Sequence, residues 1–161
     1  MLFRSGAGKV FCTGADLKEI LAIRDDEPRL REWLQGMLSA LRRFEVSPLP
    51  VIAAVHGMAL AGGLEIVMSC DVVFAARSAK LGDQHSQYGL VPGGGNSQRL
   101  TRVLGRRRAL DLMFSARWLD ADEAATWGLV NYVVDDAALM DEALAYARKL
   151  AGHRSEEHTS E

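Results

Sequence analysis

Apolar positions along the chain fall into two kinds of pattern, and their alternation predicts the elements. Over residues 16–24 they recur at Leu17, Ile20, Leu21 and Ile23, the spacing of one helical face, so a helix is expected from about Ala15. Residues 29–44 repeat this over a longer stretch, with Leu30, Leu34, Met37, Leu38 and Leu41 on one side. Pro28 suits its first turn, where the missing N–H has no helical acceptor to lose, and Pro48 and Pro50 prevent continuation. Residues 51–56 and 71–75 differ: they are nearly continuous runs of small and β-branched apolar residues, as in strands covered on both faces. Residues 9–12 read as a shorter strand ending at the Thr13-Gly14 turn, and residues 64–69 as an apolar helix. Beyond a glycine- and proline-rich loop at 89–95, helices are expected at 96–104, 107–114 and 120–126. A strand at 130–134 and a helix at 136–150 close the pattern. Strands alternating with helices predict an α/β domain, with strand order left open.

A length of 161 residues fits one domain and suffices for a hydrophobic core without disulfides or a structural metal. The formal charge of -2 gives no electrostatic reason to expect nucleic acid or an anionic membrane as partner. The basic clusters, Arg42 with Arg43 and Arg106 to Arg108, are short and read as solvated helix ends. Cys12 and Cys70 lie far apart without CxxC spacing, so a reduced, cytoplasmic protein is expected, without a zinc site. No apolar run approaches the roughly 18 residues that span a membrane. The start of the chain also lacks a signal-peptide core.

Both ends look foreign. The closing RSEEHTSE has no periodicity and back-translates to a common sequencing-adapter oligonucleotide, and MLFRS matches the reverse strand of the same adapter. The expectation is that residues 6–153 are an internal piece of a longer gene, with 1–5 and 154–161 non-native. Glu156, Glu157 and His158 are therefore kept out of any site.

Candidate chemistry centres on the stretch from Gly57 to Glu65. The first N–H groups of a helix have no intrahelical acceptor, and the helix dipole adds positive potential there. The Gly62-Gly63 pair lets a ligand approach that backbone without a Cβ in the way. Glu65 lies three residues past Gly62, on the same helical face, with its side chain leaning back over the free amide. A carboxylate within ALAGGLEIVM is costly to bury, and burial raises its pKa towards the range of an acid/base catalyst. A solvent-facing helix cap explains the same spacing equally well. The turn Thr13-Gly14-Ala15-Asp16 repeats the logic, so the Ala15 N–H is a second candidate oxyanion donor, with Asp16 better read as a helix cap. His56 reads as packed or backbone-bonded, and Ser69 and Cys70 as buried rather than nucleophilic. There is no GxSxG elbow and no phosphate-binding GxxxxGK[ST] loop.

The segments CTGADLKE, PVIAAVHGMALAGGLEIVMSCDVVFAA and GLVPGGGNSQRLTRVLG, in this order and spacing, resemble the crotonase (enoyl-CoA hydratase/isomerase) superfamily over nearly all of residues 6–153. The resemblance implies a crotonase-like (ClpP/crotonase) α/β core of repeated β-β-α units, truncated here at both ends. It implies an oxyanion hole from the Ala15 and Gly62 amides. Ala15, Asp16, Leu17, Lys18 and Gly62 would line an acyl-CoA site, with Lys18 near a CoA phosphate. Coenzyme A enters as part of the substrate; no separate cofactor and no metal are implied. Glu65 falls at the family's first catalytic glutamate. Family members also continue on both sides of this chain and assemble as trimers or hexamers.

One departure narrows the expectation. Aligned on Gly82, Gly89 and Pro92, GDQHSQYGLVPGGG puts His85 where hydratases of the family carry a second glutamate, with Asp83 two residues away. Histidine titrates near neutrality and can donate or accept a proton, although a loop histidine satisfied by water fits the spacing too. The resemblance thus implies an enoyl-CoA hydratase-like lyase of fatty acid metabolism, with Glu65 and His85 as the catalytic pair. Isomerase, acyl-CoA hydrolase or decarboxylase chemistry stands as the alternative. A non-catalytic or RNA-binding relative is a third, disfavoured by the lack of a lysine-rich helix.

Overall fold

The computed structural model describes residues 2–153. Met1 and residues 154–161, including Glu156, Glu157 and His158 and the tail expected to be non-native, lie outside the described residues. The strands are β1 (Leu2–Ser5), β2 (Val51–Val55), β3 (Met58–Leu60), β4 (Val72–Ala76), β5 (Lys80–Gly82), β6 (Leu119–Asp120) and β7 (Tyr132–Val134). The α-helices are α1 (Leu17–Ile23), α2 (Glu27–Glu45), α3 (Gly62–Val67), α4 (Asn96–Ser115), α5 (Ala121–Thr126) and α6 (Leu139–His153).

Two sheets organise the chain. β1-β2-β4-β7 form a parallel sheet, and β3-β5-β6 a smaller one in which β3 and β5 are parallel and β5 and β6 antiparallel. From β2 the chain turns at His56-Gly57 into β3 of the second sheet, runs through α3, and returns as β4 beside β2. It then enters β5 beside β3. Ile52 therefore faces Val72 in one sheet while Met58 faces Lys80 in the other. This is the repeated β-β-α core expected from the family resemblance.

β2 is buried at all five positions, which is why its sequence is apolar without alternation. Its alanines, with Ala75 and Ala76 of β4, leave room for α6 to pack across both strands. The strand ends are tied by side chains: Asp71 accepts from the Val51 N–H (2.7 Å), and Asn131 from the Val73 N–H (2.8 Å). Leu64 and Val67 of α3 and Leu100 and Leu104 of α4 fill the same core.

The helix ends follow the expected chemistry. Asp16 caps α1 by accepting from the Lys18 N–H (2.8 Å), and Asp26 caps α2 with Pro28 in its first turn. Asp120, expected inside a helix, instead caps α5 through the Glu123 N–H (2.7 Å). Gly105 breaks α4 with φ 73° and ψ 159°, so the two helices expected there meet at a kink. Arg42 and Arg43 sit in the last turn of α2, while the exposed Arg106 to Arg108 follow the kink rather than end a helix.

Residues 9–12 depart from expectation. They form no named strand; Cys12 makes one parallel bridge to Ala59, and the Phe11 and Cys12 amides both donate to the Met58 carbonyl. The partner β3 is only three residues long and offers little ladder to extend. β1 places Leu2–Ser5 at the outer edge of the first sheet, in register with 51–54 of β2. Among the described residues, no helix is long and apolar enough to cross a membrane.

Candidate active site

The N-terminus of α3 is pressed against the turn at 12–15. Gly63 makes this contact: a Cβ there would overlap the Cys12 carbonyl. A Cβ on Gly62 would lie 3.2 Å from the Gly14 Cα and 3.6 Å from the Ala15 nitrogen. The Ala15 and Gly62 amides therefore belong to one patch of backbone. Ala61, just before the helix, holds φ 49° and ψ −118°, a conformation alanine rarely adopts. Such strain persists where surrounding bonds enforce it. Here the Ala61 N–H donates to the Gly82 carbonyl (3.0 Å) and its own carbonyl accepts from the Glu65 N–H (3.1 Å). Among the described residues, no carbonyl or side chain accepts from the Ala15 or Gly62 amide. Two free donors side by side are what an oxyanion hole requires.

Glu65, one turn into α3, is only 1 % exposed. Its carboxylate accepts from the backbone amides of Asn96 (3.4 Å to Oε1) and Gly94. The glycine loop comes this close because it has no side chain in the way: a Cβ on Gly94 would collide with the Glu65 carboxylate and lie 2.7 Å from Leu41 Cδ1. Arg99 holds the loop down by donating to the Gly94 carbonyl and pairing with Glu45 of α2 (2.7 Å). Burial raises the Glu65 pKa, and this outweighs the opposing pull of His85 and of the two amide donors.

His85 opens a 3-10 turn, His85–Tyr88, directly across from Glu65. Its Nε2 lies 3.9 Å from Glu65 Oε2, and its Nδ1 lies 2.8 Å from Asp83 Oδ1. Burial lowers the His85 pKa, but the Asp83 hydrogen bond and the charges of Asp83 and Glu65 overcome this and leave it raised. Asp83 is completely buried, and its other oxygen accepts from Asn96 Nδ2 (3.1 Å).

These groups face a cleft of about 780 Å³. Ala15, Leu17, Gly62, Glu65 and His85 all line it. Asp16 and Lys18 do not: Asp16 is occupied as a cap, and Lys18 is exposed on α1. The cleft's other walls are mainly apolar, with Leu30, Trp33, Leu34 and Met37 of α2 and with Tyr88, Val91 and Trp118, and carry Arg24, Gln84 and Gln87 among them. The apolar face of α2 read from the sequence thus mostly lines a cavity; within it Leu41 is buried in packing and Leu38 is largely exposed. His56 contacts the Gly8 carbonyl (3.2 Å), and the Ser69 hydroxyl donates to the Glu65 carbonyl (2.8 Å), so both are structural.

Sequence reasoning set Asp83 aside and missed Asn96 and Gly94. Asp-x-His spacing was the available signal: in a tight turn one carboxylate reaches both the backbone N–H (3.2 Å) and the ring of the residue two further on. Nothing local marked Asn96, which reaches Asp83 only because the 89–95 loop folds back.

Both shifts make stability fall as pH rises. Glu65 is raised above 4.5, so the cost of its buried charge is absent below that pH and grows until pH passes the folded value. His85 is raised above 6.5, so its contribution is complete below that pH and lost as pH passes the folded value. Thermal melts should therefore show lower stability on the alkaline side of neutrality than near pH 5. His85→Gln should flatten the upper part of that slope; an unchanged slope would contradict the assigned contacts.

Comparison with known proteins finds relatives of one family. The sequence profile described as enoyl-CoA hydratase/isomerase matches residues 3–159. Mitochondrial methylglutaconyl-CoA hydratase of Mus musculus is 39% identical over 151 residues, 94% of this chain and 48% of that protein. The human mitochondrial enoyl-CoA hydratase domain-containing protein 2 is 43% identical over 152 residues, 94% of this chain and 51% of that protein. The crystal structure of an enoyl-CoA hydratase from Bacillus anthracis superposes with a TM-score of 0.87 at 39% identity, covering 92% of this chain and 57% of that one. The chain thus spans about half the length of the curated relatives it matches.

Proposed function

The chain belongs to the enoyl-CoA hydratase/isomerase family, and from that premise we propose that the whole protein adds water to a 2-enoyl-CoA. The thioester oxygen is bound by the Ala15 and Gly62 amides, which stabilise the enolate that forms as Cβ is attacked. The observation that carries hydration is the Glu65–His85 pair beside those amides. At 3.9 Å the two side chains are too far apart for a hydrogen bond, yet both can reach one water oxygen at roughly 2.8 Å.

Glu65 takes a proton from that water as its oxygen bonds to Cβ, and the π electrons move to the thioester oxygen. As the enolate collapses, His85 Nε2–H delivers a proton to Cα. The proton on Glu65 then returns to His85, and the net change is H on Cα and OH on Cβ. The raised pKa of His85 favours the imidazolium needed for this step. Leu17 and the α2 wall hold the acyl chain, with Lys18 and Asp16 at the rim towards the CoA moiety. We place the protein in a reducing, cytoplasmic compartment, supported by two unpaired cysteines, and as a homotrimer or hexamer acting without a cofactor.

Assay of the protein with crotonyl-CoA tests the reaction by loss of the enoyl chromophore. A 3-hydroxyacyl-CoA product is expected. Conversion only of a 3-enoyl-CoA to its 2-enoyl isomer, or release of free CoA, would replace hydration with isomerisation or hydrolysis on the same oxyanion hole.

A further inference from the structure

We infer that Asp83, anchored by Asn96, is the positioning residue that fixes which nitrogen of His85 faces the cleft. Its role as an aid to Cα protonation rests on the hydratase reading above; the placement of the proton on the ring does not.

Asp83 Oδ1 lies 2.8 Å from His85 Nδ1 and also accepts the His85 backbone N–H at 3.2 Å. A carboxylate against Nδ1 requires a proton there, so the neutral ring presents a bare Nε2 to the cleft and the charged ring presents Nε2–H. The groups facing His85 are Asp83 from its own segment and Glu65 from α3, both carboxylates. Asp83 is itself fully buried, and its second oxygen, Oδ2, accepts from Asn96 Nδ2 at 3.1 Å, which fixes the carboxylate from its other side.

The amide of Asn96 is oriented for this contact at a cost. Its Oδ1 is buried and is without a hydrogen-bond partner among the described residues. Reversing the amide would set oxygen against Asp83 Oδ2, so the orientation follows from the carboxylate. The Asn96 backbone N–H meanwhile donates to Glu65 Oε1 (3.4 Å). One residue at the start of α4 therefore contacts both halves of the acid/base pair, Glu65 directly and His85 through Asp83. This chain thus has an imidazole whose working end is set by a buried carboxylate behind it.

Nitrogen-15 NMR of imidazole-labelled protein, with the His85 signals assigned by their loss in His85→Gln, tests this without any substrate. The wild-type neutral ring should carry its proton on Nδ1, and its titration midpoint should exceed that of an ordinary histidine. In Asp83→Asn the midpoint should fall by about one to three pH units. Asn96→Ala should shift it the same way by less. The alkaline limb of kcat/KM for hydration should move with it. A wild-type ring protonated on Nε2, or an Asp83→Asn midpoint equal to wild type, would overturn the inference. Should Asp83→Asn fail to fold, the wild-type tautomer alone decides. Should the ring behave as expected while no acyl-CoA is hydrated, the positioning role stands and the hydratase reading falls.

Discussion

Glu65→Gln is expected to lower kcat for enoyl-CoA hydration by about 10³-fold while leaving thermal stability equal or higher. The two effects separate because they arise from different properties of one carboxyl. Activity requires a base, 3.9 Å from His85 Nε2, that can accept a proton from water, and an amide cannot. Stability is burdened by burying an ionisable group at 1 % exposure, and glutamine removes that burden while still accepting from one of the two loop amides. KM should change little, since the proposed oxyanion hole consists of backbone donors that glutamine does not touch. Steady-state kinetics with crotonyl-CoA and a thermal melt check both halves. Kinetics unchanged in Glu65→Gln would remove this residue from the mechanism.

Gly63→Ala is expected to do the reverse, acting on the fold first. The added Cβ would occupy the space of the Cys12 carbonyl, which is backbone and cannot swing aside like a flexible side chain. Either α3 or the 12–15 turn must retreat, at a cost of roughly 3 kcal/mol, the upper end of ordinary overpacking. Either movement also separates the Ala15 and Gly62 amides. A variant that does fold should therefore lose about 10² or more in kcat, as expected when an oxyanion donor is displaced. Thermal melts give the first effect and kinetics on the folded fraction the second. A melting temperature equal to wild type would contradict the described contact.

How much of this was legible in the sequence depended on the length scale of each signal. α2 and β2 each repeat one physical demand over many residues, so their patterns stood out. β3, β5 and β6 have three, three and two residues, too few to establish a period. They are held by the opposite strand and by Gly57, whose backbone abuts Lys9 across the turn. The Gly62-Gly63 pair with Glu65 was visible as spacing, but a solvent-facing cap fitted equally well. Burial of Glu65 beneath the glycine loop distinguishes the two, and that contact joins residues about thirty apart. Asp83 lay close to His85 in sequence yet was discounted as off-register. The tight turn leading into the 3-10 segment makes it the partner of His85, its carboxylate reaching forward two residues to the His85 N–H and ring, a geometry that alignment of columns does not represent.

The cleft-lining face of α2 carries the same pattern as a helix packed against a core. Leu30, Leu34 and Met37 follow the helical stripe of a packed helix, and a cavity that takes an apolar chain selects the same residues. Periodicity shows that a face avoids water; whether a protein core or an acyl group covers it is decided by the loop at 89–95 and by Trp118, far along the chain.

In the proposed reaction the Ala15 and Gly62 amides bind the thioester oxygen within reach of the Glu65–His85 pair. The crystal structure of the protein with acetoacetyl-CoA bound tests it most directly. The thioester oxygen is expected about 3 Å from both amide nitrogens, with the acyl chain along Leu30, Leu34 and Met37 and both Glu65 and His85 facing the Cα–Cβ bond. A thioester oxygen that contacts neither amide, or an acyl chain that leaves Glu65 and His85 facing away from Cα and Cβ, would contradict it.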